Sequence, residues 1–320
     1  MDRVSFMRSV ISEEVGEDVA QRVIAGKRPS TLKQQQVAWS AFQKWLEDNP
    51  NEDISIASFL KFFIFLKDIK NLNPVTVMNY RSYLALPFKI GAEIDLHNWK
   101  FKDLEKAFFL ETPANRPTLP AWSVDKVLNL LSTPHFASES CSLFNLLRKA
   151  LFLVALASGN RVSEISAMWL PLHRNLEGIR IPVKPGFIFK NQRAGRAPPE
   201  IFIRSLVEGP EELCPVKALE VYLQREGRSR GALFVNSNSK AQLLPATVSH
   251  TLCGLIEEGD PGKVPRGHDV RKAATSIAWT RGLKSQDIIS RAFWASSSTF
   301  IRRYLEPQSA AGVALGTVPN

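Results

Sequence analysis

The chain of 320 residues carries 41 Lys and Arg against 31 Asp and Glu, a formal net charge of +10, with 44% apolar and 22% charged side chains. That balance excludes general disorder and leaves ample chain for one large or two medium domains, each with a core of its own. Residues 1–112 hold 15 basic and 15 acidic side chains, so the whole excess lies in residues 113–320. A neutral front half and a basic rear half suggest that the rear half faces a polyanion.

Cys141, Cys214 and Cys253 are odd in number, far apart and without a C-x-x-C pair. This argues against a disulfide framework or a thiolate zinc site and fits a reducing compartment. The most apolar run, Ala150 to Ser158, is bracketed by Arg148, Lys149 and Arg161, well short of the ~18–20 residues of a membrane span. The first 30 residues are charged throughout and lack the apolar centre of a signal peptide. An intracellular, soluble protein is expected, nuclear if the source is eukaryotic.

In chain order, residues 1–28 place Val10, Ile11, Val15, Val19, Val23 and Ile24 at helical spacing, which predicts one amphipathic helix, an arm ended near Gly26 and Pro29. Ser30 is expected to cap a helix with Val37, Phe42, Trp45 and Leu46 on one face. A Phe-rich segment follows from Ile54 to Leu66. Asn73-Pro74 opens a third helix, with proline where its missing N–H is harmless, and a fourth runs from about Asn98 to Leu110. Residues 29–112 thus read as a small all-helical module. Three prolines within 112–120 predict a linker at 113–120, where the charge step also falls.

Beyond the linker, residues 121–306 are expected to form one domain, followed by an Ala/Gly/Ser-rich tail over 307–320. Helices are predicted at Val124 to Leu131, Leu143 to Ala157, Arg161 to Trp169, Pro215 to Glu226, Pro245 to Glu258, His268 to Arg281, Ser285 to Ala292 and about Ser298 to Leu305. Ile179 to Val183, Phe187 to Phe189 and Ile201 to Ile203 are the strand candidates and predict a small antiparallel sheet. The expected fold is mainly α with a small antiparallel β-sheet, in two domains.

The sequence holds no H-E-x-x-H, no phosphate loop ending in Gly-Lys-Ser/Thr, no G-x-G-x-x-G and no G-x-S-x-G, so zincin, P-loop, Rossmann and serine-hydrolase chemistries lack their usual signatures. Three segments of the basic half remain. Arg-Gly-His-Asp-Val-Arg at 266–271 sets His268 and Arg271 at i,i+3 near a helix start, two donors suited to one phosphate. Taken alone, H-x-x-R is more often a surface pair. Ala-Ser-Gly-Asn-Arg-Val-Ser-Glu at 157–164 puts Arg161 after a turn with Glu164 on its face, either a plain helix-start ion pair or a phosphate-binding arginine oriented by a carboxylate. Phe-Trp-Ala-Ser-Ser-Ser-Thr-Phe-Ile-Arg-Arg-Tyr at 293–304 carries Trp294 and Tyr304.

Arg161, then His268 and Arg271, then Trp294, then Tyr304 stand in the order found in tyrosine recombinases, and the chain resembles that phage-integrase family over residues 30–306. Its Trp-Ala-Ser-Ser-Ser-Thr-Phe…Tyr stretch looks closest to the DIRS-type and Crypton mobile-element enzymes. It departs from the common bacterial pattern in having Trp294 where a histidine usually stands. The resemblance implies a hairpin lysine between the arginine segments, matched by Lys190, with Lys184 the alternative, and a supporting acid matched by Glu164. It also implies a SAM-like helical core-binding domain, a mixed α/β catalytic domain, double-stranded DNA as partner, a tetramer on the DNA synapse and no cofactor or metal. The implied reaction is DNA cleavage and rejoining through a 3′-phosphotyrosyl link at Tyr304. Paired guanidinium N–H groups of Arg161 and Arg271 suit the charge growing on the phosphate oxygens. His268 would donate or move a proton, the indole N–H of Trp294 can only donate, and Lys190 would protonate the departing 5′-oxygen. Lys149, Arg193, Arg196, Arg225, Arg228 and Arg230 are candidate phosphate contacts. A non-catalytic DNA-binding descendant, a relaxing topoisomerase of the same chemistry and an adaptor acting through residues 1–28 stay open.

Overall fold

The computed structural model describes residues 1–113, 122–137, 141–192, 195, 197–207 and 209–291. The chain divides into two units, Met1–Arg116 and Pro117–Asn320.

The first unit is helical: α1 (Arg3–Val15), α2 (Glu17–Ala25), α3 (Pro29–Asp48), α4 (Ile56–Ile64), α5 (Pro74–Ala92) and α6 (Trp99–Glu111). Residues 1–28 form two helices rather than the single one expected. Gly16 stands between them at φ +84°, a conformation that breaks an α-helix and that glycine adopts without steric cost. These helices pack on the rest of the unit: Arg3 and Met7 are buried, and Phe6 lies 5.2 Å from Trp39. The Phe-rich pattern is explained by the core, where Phe42 stacks on Phe59 at 4.2 Å and meets Phe62 and Phe88 edge-on. After α4 the helix widens to a π turn over Phe65–Ile69, closed by Lys70 N–H donating to the Phe65 carbonyl at 3.0 Å. Asn73 and Asn98 cap α5 and α6 with their side-chain oxygens.

The second unit is built round α8 (Leu143–Ser158), preceded by α7 (Val124–Leu131). From Leu146 to Ala155 only Arg148 escapes burial, the pattern of a helix enclosed on all sides. Among the described residues no helix is long and apolar enough to cross a membrane. Next come α9 (Val162–Ser166), β1 (Trp169–Leu170), β2 (His173–Arg174), β3 (Gly178–Ile181), β4 (Ile201–Arg204), α10 (Pro215–Glu226), β5 (Gly231–Ala232), α11 (Pro245–Gly259), α12 (Asp269–Thr280) and α13 (Ser285–Arg291). The antiparallel sheet runs β2-β3-β4, with Ile179 opposite Ile203 and Ile181 opposite Ile201, and β1 pairs with β5. The fold class is therefore mainly α with small antiparallel sheets.

Two expectations in this unit are corrected. The helix expected over Arg161 to Trp169 stops at Ser166, because the following backbone is taken by partners: Lys184 N–H bonds Ala167 O, Leu233 N–H bonds Met168 O and Trp169 N–H bonds Pro182 O. Phe187 to Phe189 is not a strand. Phe189 N–H donates to Gln192 Oε1 at 3.1 Å, and Gln192 N–H returns to Phe189 O at 3.0 Å. This local turn uses the groups that a ladder would need. The expected helix near Ser298 to Leu305 and the tail lie outside the described residues.

Candidate active site

Arg161 is the N-cap of α9, placed there by the turn that ends α8. Gly159 takes φ +61° at that end, as a helix terminated in the left-handed region requires. Glu164, one turn on, is 1% exposed and accepts two bonds from Arg161: from its backbone N–H at 2.8 Å and from Nη1 at 2.6 Å. The i,i+3 pair read from the sequence is thus a buried carboxylate clamping both ends of one arginine. Its Oε2 also lies 3.9 Å from Nη1 of Arg271.

Arg271 reaches this point from the first turn of α12. It is 3% exposed, and its Nη1 donates to the Gly159 carbonyl at 2.7 Å. One turn thus carries Arg161 forward and holds Arg271 from behind. The segment leading into α12 is set by Gly267, where a β-carbon would strike the Ser249 hydroxyl of α11 and come within 2.9 Å of its Cα. Asp269 then closes the turn, accepting Arg266 N–H at 2.8 Å. The Gly159 carbonyl and Asp269 were not singled out from the sequence. Nothing in local spacing marks a backbone oxygen 112 residues away from its donor.

His268 caps α12 with its ring at the surface of the site. Its pKa is pushed below the ordinary 6.5, first by loss of water around the ring and then by the charges of Arg271, Arg161 and Lys190, with Asp269 opposing. Arg161, Lys190 and Arg271, from three separate stretches of chain, thus all bear on the His268 ring. Lys190 is exposed in the turn after Phe189, within the connection from β3 to β4. Lys184 instead lies over the Trp169 ring, 6.0 Å from its centroid. Since the unfolded histidine binds its proton more readily than the folded one, stability should be full above pH 6.5 and decline as pH falls through and below that value. Urea midpoints at pH 5 and pH 7.5 should therefore differ more in the wild type than in His268→Gln.

Among the proposed phosphate contacts, two are corrected. Lys149 is 6% exposed, and its Nζ donates inward to the carbonyls of Leu131 at 2.8 Å and Phe136 at 3.2 Å. Burial lowers its pKa. It ties the end of α7 to α8 and does not face solvent. Lys149→Met should cost ~1–3 kcal/mol by stranding carbonyls, as urea unfolding would show. Arg228 is also committed internally, to Glu226 at 3.2 Å and to the carbonyls of Ala232 and Leu233 at 2.8 and 3.2 Å. Arg225 and Arg230 are exposed, the former also reaching the Cys141 carbonyl at 3.4 Å. Arg193, Arg196, Trp294 and Tyr304 lie outside the described residues.

No family model and no curated relative matches the sequence. Solved structures do match. A λ integrase dimer bound to a COC′ core site shares 13% identity at TM-score 0.60, over 99% of this chain and 81% of that one. XerH site-specific recombinase bound to a difH substrate shares 11% at TM-score 0.60, over 90% and 79%. The Tn1549 transposon integrase with transposon right-end DNA shares 12% at TM-score 0.56, over 96% and 95%. At such identities the likeness is one of backbone, and it extends over nearly the whole chain: this protein has the fold of the λ integrase and XerH recombinases.

Proposed function

We propose that the protein is a tyrosine recombinase that cuts and rejoins DNA strands. The observation that carries this reading is the buried Glu164 set between Arg161 at 2.6 Å and Arg271 at 3.9 Å, with the charges of Arg271, Arg161 and Lys190 bearing on His268. Two arginines held by a single carboxylate suit a phosphodiester whose non-bridging oxygens gain charge in the transition state. The fold shared with λ integrase and XerH supports the same assignment.

In the proposed reaction the Tyr304 oxygen attacks phosphorus while the 5′-oxygen leaves, so one phosphoester replaces another and the energy of the bond is kept. Arg161 and Arg271 hold the non-bridging oxygens, each with a pair of N–H groups. Loss of water around the ring and then its cationic neighbours lower the pKa of His268; in the neutral form one ring nitrogen can accept the proton that Tyr304 gives up. Lys190 gives the departing 5′-oxygen its proton. Its position beside His268, with Lys184 held over Trp169, supports Lys190 in that role. Trp294 would donate a hydrogen bond to a phosphate oxygen. By this reading the partner is double-stranded DNA, the working assembly a tetramer on the synapsed sites, and the helical first unit the other half of the DNA clamp. The Trp294 stretch supports a source in a mobile element of the DIRS or Crypton type.

Incubation with nicked duplexes followed by denaturing electrophoresis tests the enzyme reading. Wild-type protein is expected to give a covalent protein–DNA adduct that Tyr304→Phe abolishes. Binding without any adduct would leave a non-catalytic descendant of the fold, and relaxation of arbitrary supercoiled plasmids would point to a topoisomerase.

A further inference from the structure

A second cationic feature lies in the first unit, apart from the cluster described above. Arg3, at the start of α1, is only 2% exposed. Its Nε is buried without a hydrogen-bond partner, and among the described residues no carboxylate pairs with its guanidinium. Its backbone N–H donates to Gln36 Oε1 at 2.9 Å. Beside it stands Lys27, half-buried in the link from α2 to α3 and likewise without an acidic partner among the described residues. Burial lowers the pKa of both, and the charge of Arg3 lowers that of Lys27 further.

These two cations line a cavity of about 90 Å³ whose other walls are aliphatic, among them Met7, Ile24, Leu32 and Leu86. None of the residues lining it is acidic. A buried guanidinium is normally compensated by a carboxylate, because desolvating an unpaired charge is costly. Here the folded unit supplies two positive charges, an apolar sleeve and no anion.

We propose that this cavity is a receptor for an aliphatic carboxylate, with the acid group on Arg3 and Lys27 and its short hydrocarbon stem between Met7, Ile24, Leu32 and Leu86. The size and aliphatic lining select among anions. A backbone phosphate of DNA is flanked by sugars and further phosphates, and needs an open surface. A carboxylate on two or three methylenes suits a small cavity lined by aliphatic side chains and can pair with the planar guanidinium fork. Two sources present this chemistry: the side chain of a glutamate on a partner protein, and a free short-chain acid.

The test uses the full-length protein with methyl-labelled methionine and isoleucine. Butyrate, the neutral isostere butyramide and inorganic phosphate are titrated while the Met7 and Ile24 methyl signals and the melting temperature are followed. Butyrate is expected to shift both signals and raise the melting temperature, with butyramide and phosphate at least tenfold weaker. Arg3→Met should weaken butyrate at least tenfold. Leu32→Phe, which fills the sleeve and leaves both cations in place, should do the same. The peptide acetyl-Ala-Leu-Glu-Leu-Ala-amide distinguishes the sources. Binding tenfold tighter than butyrate, and lost in the Gln version, identifies a partner's glutamate; binding no tighter than butyrate identifies a free acid. Equal affinity for butyrate and butyramide, or undiminished butyrate binding in both variants, overturns the proposal. So does phosphate binding tighter than butyrate together with a loss of duplex affinity in Arg3→Met, since the residue would then be a DNA contact.

Discussion

Replacing Glu164 with Ala is expected to cost ~3–5 kcal/mol of folding stability. Glu164 is 1% exposed, and its two oxygens accept the Arg161 backbone N–H and Nη1 and face Arg271 Nη1 at 3.9 Å. Its removal leaves two guanidinium groups, 14% and 3% exposed at the side chain, close together with no carboxylate between them. An exposed i,i+3 pair would be worth only ~0.2–0.5 kcal/mol, so urea unfolding separates the two cases by a wide margin. A second arm isolates the cause. Combining Glu164→Ala with Arg161→Met should recover part of the loss, because one of the stranded charges is gone. A single-variant effect under ~1 kcal/mol would mean that the carboxylate is solvated and does not organise the site.

The second large effect concerns Arg271→Lys. The substitution keeps the charge but replaces a planar fork by a point charge. In the folded protein Arg271 already spends Nη1 on the Gly159 carbonyl at 2.7 Å, so the fold itself orients the guanidinium. Lysine can satisfy that carbonyl or a phosphate oxygen, but cannot hold both with fixed geometry. If the proposed chemistry holds, adduct formation on nicked duplexes should fall by ~10²–10³-fold, the range seen when one aligned donor to a developing oxyanion is lost. Duplex binding should change by less than about tenfold. Equal losses in binding and cleavage would instead make Arg271 an ordinary phosphate contact. Undiminished cleavage would remove it from the active site.

The value of both experiments rests on how the arginines are held. Arg161 and Arg271 come from segments 110 residues apart, yet they share one carboxylate and one turn: Glu164 faces both, and Gly159, which ends α8 just ahead of Arg161, supplies the oxygen that holds Arg271. Rigid elements on either side, the enclosed helix α8 and the α11 contact that demands glycine at 267, leave little freedom for the pair to drift. Pre-organised donors of this kind stabilise developing charge without further reorganisation.

Much of the architecture was written in local pattern. Asn73-Pro74 and Asn98 mark helix starts because a short polar side chain and a proline satisfy or remove orphan N–H groups. The helices Val124–Leu131 and Pro215–Glu226 follow directly from apolar periodicity. The step from neutral to basic composition and the three prolines near residue 113 coincide with the division of the chain into two units at Arg116. The order Arg161, His268, Arg271 could be read as a set because residue type and sequence order survive without coordinates.

What remained hidden was decided at long range. Strands β1, β2 and β5 are two residues each, too short for a period to register, and exist because distant backbones meet there. Phe187 to Phe189 has strand composition, but Gln192 captures its backbone groups. Lys149 looks like any cation at the edge of an apolar run, and only the fold shows that the carbonyls of Leu131 and Phe136 turn it inward. The sequence by itself determined which residue types were present and where most helices start, since these depend on neighbours within a few positions. The tertiary structure alone decided which charges are compensated. It gave Glu164 two arginines, Arg228 its carbonyls and Arg3 no anion among the described residues, because a charge's partner is set by what folding brings beside it and not by what precedes it in the chain.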